Sequence, residues 1–188
     1  MKLKCLFLTV AALFFLFNGC NKYELIDKES GLNLKSAELK MLPVEWDLHV
    51  LLTEFAFPDG HPTPTGGPIG GIVSHLGQLK EGSHWQAYRY IRDDNVTPST
   101  IDYGISGKLV AANGDELYLN IEGYIYHRDP VEAEWIGKMY FSGGTGRFEN
   151  AVGDADSNGW ITRDENGIPF SLDMHAIGEL SSIGSAKK

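Results

Sequence analysis

Apolar and polar residues alternate one by one along much of the chain, which is the pattern of β-strands with one buried face. The longest alternating run covers residues 116–126 and places on one face Leu117, Leu119, Ile121, Gly123 and Ile125. A shorter run begins near residue 44 and places on one face Trp46, Leu48 and Val50. Related patterns predict strands over residues 69–79, 85–91, 105–111, 135–141, 159–163 and 168–180. The chain is therefore predicted to contain roughly eight strands and little helix.

Turn signals separate the predicted strands. Asn113-Gly114 predicts a hairpin with a type I′ turn, because both central residues of that turn need positive φ. Asn166-Gly167 predicts a second hairpin. Residues 57–68 hold four prolines and three glycines and are predicted to form a long loop. Many strands joined by short turns favour a sandwich or an antiparallel barrel, and a closed barrel leaves no sheet edge exposed.

The chain begins with a segment that has the layout of a secretory signal peptide. Lys2 and Lys4 form a basic start, and an apolar run of twelve residues follows at residues 6–17. A helix that spans a bilayer needs roughly 20 apolar residues, so this run is too short to serve as one. Residues 1–19 are therefore predicted to be a cleaved signal peptide.

Cys20 directly follows the small residue Gly19, and this order resembles the signal of bacterial lipoproteins. The resemblance implies cleavage before Cys20 and the attachment of lipid to its sulfur and its freed amine. Because Asn21 rather than an aspartate comes next, it also implies anchoring in the outer membrane, facing either the periplasm or the cell surface. An ordinary signal peptide that happens to precede a cysteine is the alternative.

The remaining chain is predicted to hold one folded domain. Residues 20–43 are the lipidated N-terminus and a polar tether, residues 44–180 form the β-barrel, and residues 181–188 are a polar tail. With Cys5 lost in the signal peptide and Cys20 lipidated, the mature domain is expected to have neither a disulfide nor a free thiol for catalysis.

The charge balance excludes one class of partner. The chain of 188 residues carries 16 Lys and Arg against 25 Asp and Glu, a formal net charge of −9. Proteins that bind nucleic acid present a basic surface to the phosphates, so nucleic acid is not expected as a partner. The acidic chain also argues against direct binding to anionic lipid surfaces, which leaves membrane contact to the lipid anchor.

Residues 141–153 carry a glycine-rich motif with the sequence FSGGTGRFENAVG. The motif resembles a segment of the allene oxide cyclase and dirigent-like barrels, and the chain is most similar to secreted bacterial members of that superfamily. The resemblance implies an all-β fold, a single antiparallel eight-stranded calycin-like barrel with one short helical turn after the motif. Plant members guide radical coupling or cyclise a fatty-acid epoxide, but their active-site residues are not matched to positions in this chain.

The glycine-rich motif itself is interpreted as structural. Its glycines permit a sharp exit from a strand at positive φ. Phe148 and Ala151 would share one face of a helical turn and close an end of the barrel, and Arg147 is expected to hydrogen-bond nearby carbonyls. The motif lacks the Lys-Ser/Thr pair of a P-loop, so it is not predicted to bind phosphate.

Residues 154–165 match the spacing of a calcium-binding loop. The template requires an acid or amide at positions one, three and five, a glycine at position six and a glutamate at position twelve. In this chain these positions hold Asp154, Asp156, Asn158, Gly159 and Glu165. Gly167 and Pro169 follow the match and prevent the helix that follows such a loop in an EF-hand. The favoured interpretation is a twisted strand that ends in a hairpin, so no cofactor is expected, and calcium remains the open alternative.

No catalytic or metal-binding residue is predicted. The chain has six histidines that form no close ligand pair, His49, His61, His75, His84, His127 and His175. A larger set of aromatic residues could line a ligand cavity, although packing in the core or on the exterior is the simpler interpretation: Trp85, Tyr88, Tyr90, Tyr118, Tyr124, Tyr126, Trp135 and Tyr140.

The sequence is interpreted as a cell-envelope lipoprotein of unknown molecular function, whose barrel binds a small hydrophobic ligand or a partner protein without catalysis. One alternative is an isomerase or cyclase acting on a small hydrophobic substrate, which needs Glu122, Asp173 or His175 to point inward. These residues lie opposite the apolar positions of their own strands, which predicts that they point outward. A structural envelope protein is the other alternative. The sequence does not indicate an oligomeric state.

Overall fold

The computed structural model describes residues 40–128 and 132–181, except for the side chain of Asp59. The predicted signal peptide, Cys20, most of the tether and the tail after Ser181 lie outside the described residues. The described chain forms ten strands: β1 (Met41–Leu51), β2 (Glu54–Ala56), β3 (Thr63–Val73), β4 (Gly77–Gln78), β5 (His84–Asp93), β6 (Ser99–Val110), β7 (Glu116–His127), β8 (Ala133–Gly144), β9 (Val152–Arg163) and β10 (Pro169–Ser181). It also forms two 3-10 helices, at Pro58–Gly60 and Gly146–Phe148.

Eight of the strands form a closed antiparallel ring. The order around the ring is β1, β10, β9, β8, β7, β6, β5 and β3, and pairing between β1 and β3 closes it. The short strands β2 and β4 pair with β3 outside this path. The predicted all-β fold and its single eight-stranded barrel are thus confirmed, with β1 starting slightly ahead of the predicted barrel start at Val44. Across the described ranges, no helix combines the length and the apolar character needed to cross a bilayer.

The path of β3 differs from the sequence prediction. The predicted loop over residues 57–68 is wrong in its second half, where β3 begins despite two prolines. β3 changes partner along its length, pairing with β2 near Pro64, with β5 at Pro68 and with β1 beyond it. A proline lacks the N–H of a ladder hydrogen bond, and it is tolerated where a strand passes from one partner to the next. The strand predicted over residues 69–79 breaks early, at a turn where His75 has a φ of 65°.

Both predicted hairpins form, and the first has a different turn from the one predicted. In the first hairpin, Ala111 donates its N–H to the carbonyl of Asp115 at 2.8 Å, and Gly114 donates to the carbonyl of Ala111 at 2.9 Å. Gly114 has a φ of 92°, whereas Asn113 has a negative φ. The turn is therefore the longer loop in which only the closing glycine is left-handed, and the type I′ assignment was wrong. The hairpin at Gly167, where φ is 77°, closes in the same way.

Inward-facing side chains fill the middle of the barrel. The alternation predicted for β1 and β7 is confirmed, because their apolar residues are buried while most of the polar residues between them are exposed. Large side chains of this core include Trp46, Tyr103, Trp135 and Met139. Nε1 of Trp135 donates to Oγ of Ser157 at 3.0 Å, so the polar edge of this buried indole has a partner. The core leaves no wide channel through the centre of the ring.

One end of the barrel is closed by the 3-10 turn at Gly146–Phe148. Phe148 and Ala151 are 2% and 1% exposed and lie in the core, as a plug requires, although Ala151 lies beyond the helical turn rather than on its face. The prediction for Arg147 was wrong, since the β6–β7 hairpin brings a carboxylate rather than carbonyls against it. Nε of Arg147 lies 3.8 Å from Oδ2 of Asp115, and its guanidinium lies 4.8 Å from the centre of the Phe148 ring.

Candidate functional site

The end of the barrel opposite Phe148 is open and holds a cavity of about 410 Å³. At this end β5, β7 and β9 finish, while β3, β6 and β10 begin. Part of the cavity wall is apolar and is formed mainly by Ile101, Ile125 and Ile161. The polar part of the wall contains His61, Arg92, Ser99, His127, Arg163 and Asn166. This space is the open-end cavity.

Arg163 is the last residue of β9, and two hydrogen bonds to neutral acceptors hold it in the cavity wall. Its Nη1 donates to the carbonyl of Gly167 at 2.9 Å, and its Nη2 donates to Nδ1 of His127 at 2.9 Å. Its Nε is buried and has no hydrogen-bond partner among the described residues. Burial, followed by the charge of Arg92, lowers the pKa of Arg163, but a guanidinium remains charged at neutral pH.

His127 is the last residue of β7, and its ring is neutral at neutral pH. Burial is the largest cause, followed by the charges of Arg163 and Arg92, and together they lower the pKa of His127 to about 4. Because an arginine only donates, the Nδ1 that meets Arg163 accepts, which leaves the proton of the neutral ring on Nε2. Nε2 is buried and lacks a hydrogen-bond partner within the described part of the chain. The imidazole therefore keeps one unused N–H donor, at an atom that is buried within the wall.

The charged side chains that line the open-end cavity are all basic among the described residues. Arg92 supplies a second guanidinium, whose Nε donates to the two carboxylate oxygens of Asp94 at 2.8 and 3.0 Å. Asp94 itself lies outside the lining, and its side chain is 60% exposed. The cavity is thus a basic site on a chain whose formal net charge is −9.

The open-end cavity does not continue through the barrel. Beneath it lies a void of about 30 Å³, walled in part by Trp85, Tyr103 and Trp135. This void adjoins the open-end cavity, because Pro64, Ile125 and Ile161 line both. Most of the space for a ligand therefore lies at the mouth of the barrel, against the isoleucine wall and the basic groups.

The residues that the enzyme alternative required face outward, as the alternation predicted. Glu122 is exposed on β7. On the outer face of β1 and β10, Nδ1 of His49 lies 2.6 Å from Oδ1 of Asp173, and Nδ1 of His175 lies 2.8 Å from Oδ1 of Asp47. These two pairs border a surface groove of about 330 Å³. Because its charged side chains already pair with one another, the groove is a weaker candidate site than the open-end cavity.

The aromatic residues considered from the sequence do not line the open-end cavity. Trp85 and Trp135 are buried inside the barrel. Four tyrosines lie exposed on the outer surface, Tyr88, Tyr118, Tyr124 and Tyr140. Two are half-buried, Tyr90 and Tyr126. The simpler interpretation, packing in the core or on the exterior, is the one that the structure supports.

The residues that match the calcium template lie mostly along a strand. Asp154, Asp156 and Asn158 project from the exposed face of β9. Side chains on one face of a strand are spaced roughly 7 Å apart, so they form a row rather than encircle an ion. Nζ of Lys138 lies 3.0 Å from Asp154 and 3.6 Å from Asp156. Within the described ranges, no group of three or more histidine, cysteine or acidic residues is placed to hold a metal.

Two residues of the basic wall were not considered from the sequence, namely Arg92 and Arg163, and His127 was considered only as one of six histidines that form no ligand pair. The alternation carried a usable signal for His127 and Arg163. His127 continues the inward phase of β7 after Ile125, and Arg163 continues that of β9 after Ile161. A polar residue that keeps the inward phase at the last position of a strand therefore marks the lining of a barrel mouth.

Comparison with known proteins adds a likeness in fold. No protein-family model matches the chain, and no curated protein matches it. Among solved structures, the chain is similar to the pterocarpan synthase dirigent protein GePTS1, with 16% identical residues and a TM-score of 0.43. The match covers 79% of this chain and 89% of that chain. A likeness of this degree carries no argument about family or activity.

Proposed function

We propose that the protein is a lipid-anchored protein of the bacterial cell envelope whose barrel binds a small molecule in the open-end cavity without transforming it. The observation that carries the proposal is a cavity of about 410 Å³ that joins an apolar wall to several polar groups. Ligand sites in proteins are concave, roughly 300–1,000 Å³ in volume, and contain a few polar groups that fix the orientation of the ligand. The lining of the open-end cavity exposes more polar than apolar surface, so the ligand is expected to carry a polar group. The outward direction of Glu122, Asp173 and His175 supports binding over the enzyme alternative.

The N-terminal sequence supports the membrane part of the proposal. A basic start and an apolar run precede Gly19 and Cys20, and Asn21 follows them. Several acyl chains on one cysteine give stable anchoring, where a single chain gives only marginal binding. The proposed location is the outer membrane, with the barrel on its periplasmic or its external side.

Lipid attachment is tested by mass spectrometry of the protein made in a Gram-negative host. We expect the wild type to carry lipid on Cys20 and to fractionate with membranes, and Cys20→Ser to lose both properties. Cys5→Ser removes the other cysteine of the chain and serves as the matched control, because it should leave the lipid in place. A wild-type protein that is cleaved but carries no lipid would contradict the anchor.

Ligand binding is tested by screening a chemically varied panel of small molecules against the purified protein by NMR. A hit should disappear in Ile125→Phe, which fills part of the open-end cavity. The hit should persist in Ile136→Phe, which makes the same change at a side chain that is 45% exposed on β8. Overpacking costs about 1–3 kcal/mol, so both variants must first be shown to be folded. The absence of any hit would favour the structural alternative.

A further inference from the structure

Arg163 is a half-buried cation whose hydrogen-bond partners are neutral. Charged groups removed from water are normally paired with an opposite charge, because desolvation of an unpaired ion is costly. Within the described residues, Arg163 forms no ion pair with a carboxylate, and its buried Nε has no partner. Its guanidinium nevertheless has a fixed orientation, since His127 and Gly167 each bind one of its terminal nitrogens. An oriented guanidinium that no carboxylate neutralises favours recognition of an anion.

The groups around Arg163 also favour the binding of an anion. His127 accepts from Arg163 through Nδ1 and so brings no negative charge to the guanidinium. Arg92 brings another positive charge to the same wall, and Asp94 offsets that charge only from the exposed side. The hydroxyl of Ser99 also lines the space. A bound anion would relieve the repulsion between the two arginines and would accept hydrogen bonds from several of these donors.

The apolar part of the wall restricts which anions fit. Ile101, Ile125 and Ile161 are each less than 8% exposed and form one side of the open-end cavity. An inorganic anion would use the basic groups and would make no apolar contact with this side. A volume of about 410 Å³ has room for an organic body beside the charged group. Burial of such a body contributes roughly 25 cal/mol for each Å² of apolar surface removed from water.

We propose that the open-end cavity binds a compact organic carboxylate, with the carboxylate at Arg163 and the apolar body on the isoleucine wall. This inference rests on the proposed function, because it names the ligand class of the same cavity. The planar fork of a guanidinium matches the two oxygens of a carboxylate. Arg92 lies on the same wall and can contribute charge.

The test uses the purified protein at pH 7.5 and isothermal titration calorimetry. Three compact carboxylates, benzoate, cyclohexanecarboxylate and isovalerate, are each compared with the corresponding neutral amide, and inorganic phosphate is titrated separately. Hydrogen bonds to a charged group favour the carboxylate over its amide by roughly tenfold to a hundredfold in affinity. We expect at least one carboxylate to bind with this advantage, and phosphate to bind more weakly than that carboxylate.

Substitutions of two arginines identify which side chain binds the carboxylate of the ligand. Arg163→Gln should lower carboxylate affinity by roughly tenfold or more and leave amide affinity within about twofold. Arg89→Gln is the matched control, because it removes the same charge from β5 at a side chain that pairs with Asp102 at 2.9 Å. Arg89→Gln should leave both affinities within about twofold. If Arg163→Gln does not fold, the comparison of carboxylate with amide on the wild type still decides the proposal.

The outcomes separate this inference from the proposed function. If each carboxylate binds no better than its amide, or if none of the three binds, the carboxylate proposal is overturned. In that case a neutral ligand found in the wider screen, and lost in Ile125→Phe, would still support a binding cavity. If phosphate binds as tightly as the best carboxylate, the cavity recognises a bare anion and the organic part of the proposal is wrong. If the wider screen also finds nothing, both proposals fail.

Discussion

Nη2 of Arg163 donates a hydrogen bond of 2.9 Å to Nδ1 of His127, and this contact joins two strands that are not neighbours in the sheet. His127 ends β7 and Arg163 ends β9, with β8 between them in the ring. The bond orients the guanidinium and also decides which nitrogen of the neutral imidazole keeps the proton. Both consequences bear on what the open-end cavity can bind.

The protonation of His127 predicts a loss of stability in acid. Its pKa is about 4 in the folded chain, against 6.5 for an ordinary histidine, because of burial and then the charges of Arg163 and Arg92. Asp94 opposes this shift, and His61 adds to it. The unfolded chain therefore binds more protons between these pH values, and the stability contributed by the neutral ring is lost as pH falls from about 6.5 to 4. The loss amounts to on the order of 2–3 kcal/mol.

Urea unfolding at a series of pH values between 7.5 and 4 measures this effect. His127→Gln cannot titrate and can still accept the hydrogen bond from Arg163, so its free energy of unfolding should fall less steeply than that of the wild type. Other groups titrate in the same range, and the difference between the two curves isolates His127. Parallel curves would show that the folded chain protonates His127 as easily as the unfolded chain does.

The plug at the closed end predicts a large cost for Phe148→Ala. The ring is 2% exposed and packs in the core, so its removal should cost about 3–5 kcal/mol in the free energy of unfolding. Phe170→Ala makes the same change on β10 at a side chain that is 47% exposed, and it should cost about 1 kcal/mol or less. Chemical denaturation measures both. Equal losses would mean that Phe148 does not close the barrel in solution.

The glycine-rich motif predicts a specific cost for Gly146→Ala. Gly146 has a φ of 55°, and a Cβ there would clash with the carboxylate of Asp115. The substitution should therefore destabilise the fold beyond the roughly 1–2 kcal/mol of a left-handed alanine. Gly114→Ala is the control, because its φ of 92° is also positive but an added Cβ meets nothing within 4 Å. The melting temperature should fall further for Gly146→Ala, and the reverse order would contradict the clash.

Alternation was sufficient to predict the ring of strands, because a barrel wall buries every second residue. The run from Leu117 to Ile125 shows this, since each of its inward positions is buried. The β3 strand escaped prediction because it changes partner near Pro64 and Pro68, and a change of partner is a property of the assembled sheet. Residues 57–68 therefore looked like a loop when only their composition was considered.

The candidate site was harder to predict because it depends on distances between strand ends. His127 and Arg163 stand 36 positions apart, and nothing local in the sequence brings them together. The alternation showed that both residues point inward. Only the folded barrel shows that Nδ1 of His127 contacts a guanidinium and that Nε2 has no partner among the described residues. The basic character of the cavity was also hidden by the acidic balance of the whole chain.

A buried hydrogen bond fastens the start of β3 beneath the open-end cavity. The hydroxyl of Tyr103 is buried and donates to the carbonyl of Pro64 at 3.1 Å, and Pro64 lines the open-end cavity. Tyr103→Phe removes the hydroxyl that donates to this carbonyl. The loss of this hydrogen bond should cost about 1–2 kcal/mol in the free energy of unfolding. Tyr124→Phe removes a hydroxyl from a side chain that is 46% exposed and should cost about 0.5 kcal/mol or less. Hydrogen exchange of the β3 amides should rise only in Tyr103→Phe, and unchanged exchange would mean that packing alone holds this segment.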